Sequence, residues 1–300
     1  MARRPAPTKV DEIAVDTAID TPAPVAVADA PTPAPTESTA VAPVSDYADD
    51  LGSGFEDTTG EDLKVPLITA IQSNNPQVMP GHAKYLAHAK PSMLLNTLTG
   101  ETHDGAVGVE FIPVRRVRQF MEFVPRTQGG GVVARHDPNE PAVKRARAGK
   151  PYGKIENFGD GNELVESVNV YGLLIDAQGK VSEANVPFQS TNIDAYKTMY
   201  SIALAQRVPV GNGQTAPLPL FAHRWRLRTT FAQNKKGQWF KLVLTPAAET
   251  IEASRLAQTD PLYQRAKAFD KLIHAGRVTD NFDDAAKSDI GTGEDGVEDI

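Results

Sequence analysis

Residues 217–244, PLPLFAHRWRLRTTFAQNKKGQWFKLVL, hold the pattern that decides the fold of this chain. Arginines alternate with less polar residues in the first half, which predicts a β-strand that carries the arginines on one face. The segment from Asn234 to Gly237 predicts a turn, and the aromatic and apolar residues after it predict a return strand. The stretch therefore predicts a β-hairpin with one basic face. The three arginines on that face are Arg224, Arg226 and Arg228.

The charges around this hairpin are unusual for the chain as a whole. Residues 195–248 contain eight Lys or Arg and no Asp or Glu, although the full chain has a net charge of −7. By segment, residues 1–62 carry a net charge of −10, residues 63–275 carry +9 and residues 276–300 carry −6. A basic body between two acidic ends indicates a polyanionic partner, and we expect that partner to be a nucleic-acid backbone.

The composition excludes several classes of site. The chain has no cysteine, so disulfides, cysteine-based zinc sites and thiol nucleophiles are absent. The N-terminal sequence lacks the apolar segment of a signal peptide, and no apolar run is long enough to cross a membrane. We therefore expect a protein that does not enter membranes and that works in the cytoplasm.

Three regions follow from the distribution of Pro, Ala and charged residues. Residues 1–53 are rich in Pro and Ala without an amphipathic period, so we predict a disordered acidic arm. Residues 54–275 form the predicted folded domain. Residues 276–300 are predicted to be a disordered acidic tail, which either keeps the protein soluble or mimics nucleic acid and competes for the basic face.

The order of predicted elements indicates a mainly β protein of the α+β class. The predicted architecture is a small barrel like the oligonucleotide-binding fold, with an inserted helix and a C-terminal helix; other mixed sheets stay open. The predicted elements are a short helix within 66–72, a strand from Met93, a strand over 107–126 with a bend at Pro113, a hairpin of 163–176 with 181–189, a helix over 190–207, the basic hairpin, and a helical segment over 250–275 interrupted at Pro261.

Two basic strands provide the candidate phosphate ligands. No carboxylate close in sequence is present to pair with the hairpin arginines, and a second group of arginines lies on the 107–126 strand. If both strands belong to one sheet, their cations line one groove. The alternative is an ordinary solvated sheet face. The predicted phosphate ligands are Arg115, Arg116, Arg118, Arg224, Arg226, Arg228, Lys235, Lys236 and Lys241.

Aromatic residues among these charges indicate single strands rather than duplex. Stacking on an aromatic ring contributes about 1–3 kcal/mol per base, and it requires unstacked bases. The candidate stacking residues are Phe120, Phe231 and Trp239. Trp225 alternates with the arginines, so we expect it to point into the core.

No catalytic or metal site is predicted. Arg135, His136 and Asp137 follow a triple glycine, but the segment lacks the Lys-Ser/Thr ending of a P-loop, and no second histidine or carboxylate pair completes a site in the sequence. His82 and His88 are isolated and do not have the spacing of metal ligands. We expect a binding protein without enzymatic activity and without a cofactor.

Four phrases resemble a group of bacteriophage single-stranded DNA-binding proteins. They are GFEDTTGEDLKVP at 54–66, SMLLNTLTGE at 92–101, GNELVES at 161–167 and FQSTNIDAYKTM at 188–199. The resemblance implies an oligonucleotide-binding fold, no enzymatic activity, and coating of single-stranded DNA in phage replication, recombination or repair within the host cytoplasm. It also implies contacts of the acidic tail with a replicative polymerase and a primase-helicase. The chain departs from the group in its long Pro/Ala arm and in a tail that ends on Ile300.

Two other functions are consistent with the same features. One is a recombination protein, either a strand annealer or a directionality factor that acts through an integrase. The other is a virion or scaffold component, for which a disordered arm and an acidic tail are also natural. Whether the chain forms a homodimer stays open.

Overall fold

The structure is a computed structural model that describes residues 64–151, 153–235, 237–275 and 279–280. These residues form mainly β-strands together with α-helices, which confirms the predicted α+β class. The strands are β1 (Lys64–Val65), β2 (Ile68–Ala70), β3 (Leu94–Asn96), β4 (Thr102–His103), β5 (Val109–Phe123), β6 (Val132–His136), β7 (Ile155–Phe158), β8 (Asn162–Ile175), β9 (Val181–Gln189), β10 (Arg207–Gly211), β11 (Gln214–Pro217), β12 (Trp225–Asn234), β13 (Gly237–Pro246) and β14 (Thr279–Asp280). The helices are α1 (Pro141–Gly149), α2 (Ile193–Ala205) and α3 (Pro261–His274).

The predicted arm, residues 1–53, lies outside the described residues, as does most of the predicted tail. Within the tail, Thr279 and Asp280 form β14, which pairs in parallel with Lys64 and Val65 of β1. The described domain therefore includes two residues of the segment that was predicted as tail.

Two long antiparallel strands, β5 and β8, form the centre of the largest sheet. At one end of this pair, β12 adds to β5 and β9 adds to β8. At the other end, β6 adds to β5 and β7 adds to β8. β13 extends the sheet beyond β12, and the pairings among the described strands leave the sheet open rather than closed into a barrel. The smaller sheets are β2-β3-β4, β10-β11 and β1-β14.

The basic hairpin is confirmed. β12 and β13 pair from Trp225 opposite Pro246 to Asn234 opposite Gly237, so the turn lies where the sequence predicts it. The hairpin begins later than predicted, since residues 217–224 contain the end of β11 and a 3₁₀ turn at Leu220–Ala222. The predicted hairpin of β8 and β9 and the predicted helix α2 are also confirmed.

Two predicted helices differ from the structure. Pro66 does not begin a helix, because residues 68–70 form β2 and pair with β3. α3 begins at Pro261 rather than near residue 250, since the side chain of Asp260 accepts a hydrogen bond from the backbone N–H of Leu262 at 2.8 Å. None of the helices in the described residues is both long and apolar enough to cross a bilayer.

β5 contains a β-bulge next to Pro113, where the sequence predicts a bend. Pro113 lies opposite Gly172 and Arg115 lies opposite Tyr171, so β5 has one extra residue between them. Gly172 is needed here because a Cβ at that position would lie 2.5 Å from the Phe111 ring. Side chains alternate between the two faces of the sheet along a strand. Because of the extra residue, every β5 side chain after the bulge points to the face opposite the one it would occupy without the bulge.

Both faces of the sheet are covered by a helix. On one face, Phe111 and Trp225 pack in a core with Met199 of α2. On the other face, Ile112 packs in a second core with Phe269 of α3. We call these the α2 face and the α3 face.

Candidate nucleic-acid interface

The hairpin brings cations and one tryptophan onto a single face. Residues directly opposite each other in an antiparallel pair point to the same side. Lys241 is opposite Thr230 and Trp239 is opposite Ala232. Thr230 and Ala232 lie two and four residues after Arg228 on β12, so they point to the same side as Arg228. We call this the outer hairpin face. It carries Arg226, Arg228, Trp239 and Lys241.

Three of the predicted phosphate ligands of the hairpin have no carboxylate partner among the residues that the structure describes. Arg228 donates from Nη2 to the Thr245 hydroxyl at 3.2 Å, and Lys235 lies exposed in the turn. Within the described residues no ion pair involves Arg228, Lys235 or Lys241. Their charges are therefore available to an external anion. Lys236 lies outside the described residues.

The other two hairpin arginines share a carboxylate that the sequence does not place near them. Arg224 Nη1 lies 3.1 Å from one oxygen of Glu110, and Arg226 Nη2 lies 3.2 Å from the other. Arg226 is directly opposite Glu110 because β12 pairs with β5. The sequence shows no carboxylate close to these arginines along the chain, and the pairing strand supplies one from more than 100 residues away. Two guanidinium groups on one carboxylate still leave excess positive charge.

Trp239 lines a pocket with a volume of about 200 Å³, together with Thr191, Asn234, Gly237 and Gln238. Its indole Nε1 is buried and has no hydrogen-bond partner in the described structure. An indole N–H can only donate, and a buried donor without an acceptor costs free energy. The pocket beside this ring could take a flat aromatic ligand such as a nucleobase.

The other predicted aromatics differ in position from Trp239. Trp225 is 0% exposed, which confirms that it points into the core. Phe231 is 52% exposed but lies on the opposite side of the hairpin, where its ring meets Phe240 edge-on at 5.9 Å between centroids. Phe120 is only 5% exposed and lies beneath the guanidinium of Arg147 at 4.7 Å. The prediction that Phe120 stacks on bases is therefore corrected, because its ring is covered.

The arginines of β5 follow the bulge and point in two directions. Arg115 Nε lies 2.8 Å from Asp270 of α3, on the α3 face. Arg116 lies over the ring of Tyr200 of α2, 4.6 Å from its centroid, on the α2 face. Arg118 lies two residues after Arg116 on the same strand, so its side chain also points to the α2 face.

The predicted single groove is therefore wrong. Before the bulge, Glu110 and Ile112 alternate with Phe111, which places Glu110 and its neighbour Arg226 on the α3 face. Arg116 and Arg118 lie on the other face of the same sheet. β5 and β12 are neighbours, as the groove required, but the bulge turns their cations away from each other.

Helix α1 adds cations that the sequence prediction did not assign to the site. Residues 141–154 contain five Lys or Arg and no Asp or Glu, the same signal that marked the hairpin. Lys144, Arg145 and Lys150 are exposed, whereas Arg147 packs over Phe120. A search of the sequence for segments that contain Lys or Arg but no Asp or Glu would have found this helix.

His136 is the centre of a polar cluster that was not visible in the sequence. Its Nε2 lies 2.7 Å from Glu122 and its Nδ1 lies 2.8 Å from Glu140, so two carboxylates hold one imidazole. Burial lowers the pKa of His136, but the hydrogen bonds to Glu122 and Glu140 outweigh it and leave the pKa above its ordinary value. The bond to His136 lowers the pKa of Glu140.

A pair of carboxylates therefore does accompany His136, which the sequence did not indicate. The geometry of the cluster is that of a structural contact. Both ring nitrogens are occupied, and the second oxygen of Glu122 accepts from the Asn162 amide at 2.6 Å. An imidazole with both nitrogens held cannot accept a proton from a substrate without breaking one of these bonds. The cluster joins β5, β6 and the start of α1.

The other histidines singled out in the sequence make local contacts. His82 Nδ1 accepts from the backbone N–H of Lys84 at 3.1 Å, and His88 Nε2 lies 3.3 Å from the carbonyl oxygen of Gly100. Among the residues that the structure describes, no group of three His, Asp or Glu side chains is arranged to hold a metal ion.

Comparison with known proteins gives one family. The sequence model of the Pam3 phage gp34-like protein family matches residues 36–279, which is most of the chain. The chain therefore belongs to this family, and the match indicates a phage protein. No curated protein and no solved structure matches the chain.

Proposed function

We propose that this member of the Pam3 phage gp34-like protein family binds single-stranded DNA through the outer hairpin face. One observation carries the proposal: the strand register brings Arg226, Arg228 and Lys241 onto the same face as Trp239. Cations at this spacing neutralise successive phosphates, and an aromatic ring beside them stacks on a base. The protein would coat single strands during phage replication, recombination or repair.

The pocket at Trp239 supports a single strand over a duplex. A base in a duplex already has its faces stacked and its pairing edge occupied, so it cannot enter a pocket of about 200 Å³ beside an indole. An unpaired base brings a ring that can stack beside the indole. Sequence preference would be weak, because every base has a flat ring.

Phosphate contacts supply the remaining affinity. The phosphates would compete with Glu110 for Arg224 and Arg226, and they would bind Arg228, Lys235 and Lys241 directly. The affinity should therefore depend steeply on salt, with log K falling by about 0.7 per phosphate contacted. The proposal rests on this face and not on a closed barrel, so an oligonucleotide-binding fold is not required by it.

The test is a titration with oligo-dT that follows tryptophan fluorescence. The chain has two tryptophans, and Trp225 is fully buried, so quenching reports on Trp239. We expect quenching at low salt and recovery as salt rises. Equal affinity for duplex and single strand would overturn the stacking model.

Substitutions separate stacking from charge in the same titration, with binding measured by the anisotropy of a labelled oligo-dT. Trp239→Phe keeps a stacking ring and should bind nearly as wild type, whereas Trp239→Ala should lose about 1–3 kcal/mol. Phe231→Ala is the matched control, because it removes an exposed ring from the other side of the same hairpin. An equal loss in Phe231→Ala and Trp239→Ala would contradict the assignment of the outer face.

The acidic tail would add partners to this function. Residues 276–300 carry eight acidic and two basic side chains, so they resemble a short polyanion. When DNA is absent, the tail would occupy the cationic surface, and when DNA displaces it, the tail would recruit a replicative polymerase or a primase-helicase. In this role the protein works in the host cytoplasm without catalysing a reaction.

A further inference from the structure

The α2 face carries a second cationic cluster, held together by one carboxylate. Arg118 Nε lies 3.1 Å from one oxygen of Glu166, and Arg147 Nη2 lies 3.8 Å from the other. Arg147 is fixed in place, because its Nη1 also donates to the Gly153 carbonyl at 2.8 Å and its guanidinium covers the Phe120 ring. One carboxylate between two arginines leaves positive charge for another anion.

Helix α1 and the adjacent strand enlarge this cluster. Arg116 is exposed beside Arg118, and Lys144, Arg145 and Lys150 are exposed in or directly after α1. Within the described residues, no ion pair involves any of these four side chains. We call the whole set the α1 surface. It consists of Arg116, Arg118, Lys144, Arg145, Arg147 and Lys150.

The α1 surface and the outer hairpin face cannot contact the same phosphates. The α1 surface lies on the α2 face of the sheet, whereas Arg226 and Arg228 lie on the α3 face. The sheet and its two cores stand between them, with Phe111 and Trp225 packed on one side and Ile112 on the other. Each cationic set is therefore a separate site.

We propose that the α1 surface binds a second single strand, so that one protein holds two strands at once. The proposal rests on the proposed function of the hairpin and adds a second, independent binding site to it. Two strands on opposite faces of one domain are brought together without competing for the same cations. Holding two strands in this way is the activity that a strand annealer requires.

The chemistry of the α1 surface favours a phosphate backbone over a protein partner. Among the described residues, only Arg118 and Arg147 of the six cations contact a carboxylate, that of Glu166, and the core of a protein–protein interface is depleted of charged residues. Phosphate contacts need cations without a buried apolar centre, and arginine and lysine supply most of them. A polyanion whose charges repeat along its length fits such a surface.

The experiment uses two non-complementary oligonucleotides of about eight nucleotides, within the range of single-strand sites on small domains and too short to wrap both faces. One carries a donor dye and the other an acceptor dye. With the wild-type chain we expect energy transfer between them, and native mass spectrometry should show two oligonucleotides per chain. A single oligonucleotide per chain would overturn the proposal.

Two charge-reversal variants assign each strand to its site. Lys144→Glu with Arg145→Glu should lose energy transfer and one of the two oligonucleotides, yet keep quenching of Trp239 by oligo-dT. Arg228→Glu with Lys241→Glu should lose the quenching and also retain one oligonucleotide. Lys267→Glu with Lys271→Glu makes the same charge change on exposed positions of α3 and should leave both oligonucleotides bound.

The outcomes distinguish the two proposals. Unchanged energy transfer in the Lys144→Glu, Arg145→Glu variant would overturn the second site alone. Binding of one oligonucleotide that quenches Trp239 would leave the hairpin function standing and remove the second site. Failure of any oligonucleotide to bind the wild-type chain would overturn both.

Discussion

Glu110 is the residue on which the charge of the outer hairpin face depends. It neutralises part of the charge of Arg224 and Arg226, at 3.1 and 3.2 Å. We expect Glu110→Gln to bind oligo-dT more tightly, because both arginines become available to phosphate. The slope of log K against log salt should steepen by about 0.7 for each additional phosphate contact.

The control for this substitution is Glu183→Gln. Glu183 makes a comparable partly exposed ion pair with Arg265, at 2.9 Å, away from the hairpin. Its loss should leave both the affinity and the salt slope unchanged. If Glu110→Gln weakens binding, then Glu110 positions the arginines for DNA rather than competing with it.

His136 should make stability depend on pH in a defined window. Its pKa is raised in the folded state, so its contribution is complete below pH 6.5, its ordinary pKa, and is lost as pH rises through the folded value. The physical reason is that the imidazolium donates from both nitrogens, whereas the neutral ring donates from only one and leaves a lone pair facing a carboxylate. Glu140, whose pKa is lowered, acts in the other direction, and its contribution is lost as pH falls through its folded value.

Denaturant unfolding of the wild type and of His136→Gln, measured from pH 5 to pH 9, checks this prediction. The difference in unfolding free energy between the two should be largest near the acidic end of the window and should shrink toward pH 9. Glu122, Glu140 and Phe158 are the groups that contact the ring, so Asn162→Ala, which removes only the amide on Glu122, should keep the pH dependence. A constant difference across the range would show that His136 does not titrate in the contact.

At the scale of elements, side-chain amides make hydrogen bonds to the outer edge of β13, the edge that does not pair with β12. The Gln72 amide accepts from the backbone N–H of Phe240 and donates to its carbonyl oxygen, each at 2.8 Å, and Asn192 accepts from the N–H of Leu242 at 2.9 Å. Side-chain amides thus take the place of the next strand. An edge satisfied in this way does not pair with another chain.

Gln72→Ala should destabilise the fold by about 1–2 kcal/mol, because two hydrogen bonds to the edge are lost. Hydrogen exchange at the Phe240 amide should become faster in the variant. Gln233→Ala, at an exposed position on β12, is the matched control and should change stability by less than about 0.5 kcal/mol. Unchanged exchange at Phe240 would mean that Gln72 does not hold the edge in solution.

The bulge in β5 marks the limit of what the sequence could predict about the site. The hairpin, its turn, the position of the bend at Pro113 and the burial of Trp225 all follow from local patterns. The direction of Arg116 and Arg118 does not, because it depends on whether one extra residue exchanges the two faces. Without that residue, these arginines would share the α3 face with Arg226, as the predicted groove required.

Other errors have the same origin in long-range contacts. Glu110 is separated from Arg224 by 114 residues, so only the pairing of β5 with β12 reveals it as a partner. Phe120 looks like an exposed aromatic among arginines, but it becomes buried when α1 packs on it. Local sequence patterns identify strands and turns, whereas the partners of each side chain depend on which strands and helices meet.

At the scale of the whole molecule, we expect the acidic tail to compete with DNA for the two cationic surfaces. Removing residues 281–300 deletes seven acids and one lysine while it retains β14. We expect the shortened chain to bind oligo-dT more tightly, by about tenfold if the tail contributes about 1.4 kcal/mol of competition. The affinity measured at low salt checks this.

A chain of full length with its tail acids changed to amides is the control for the length of the tail. It should bind as tightly as the shortened chain, because charge and not length is responsible for the competition. If both variants bind DNA with wild-type affinity, the tail does not compete for the cationic surfaces.

The pairing of β1 with β14 has a topological consequence. Lys64 lies beside Thr279, at the spacing of neighbouring strands of about 4.8 Å, so the first and last described stretches of the chain are adjacent. Chains whose ends meet tolerate circular permutation. A short linker from Asp280 to Lys64, with new termini in the turn between β8 and β9, should give a permuted domain that folds without either acidic extension.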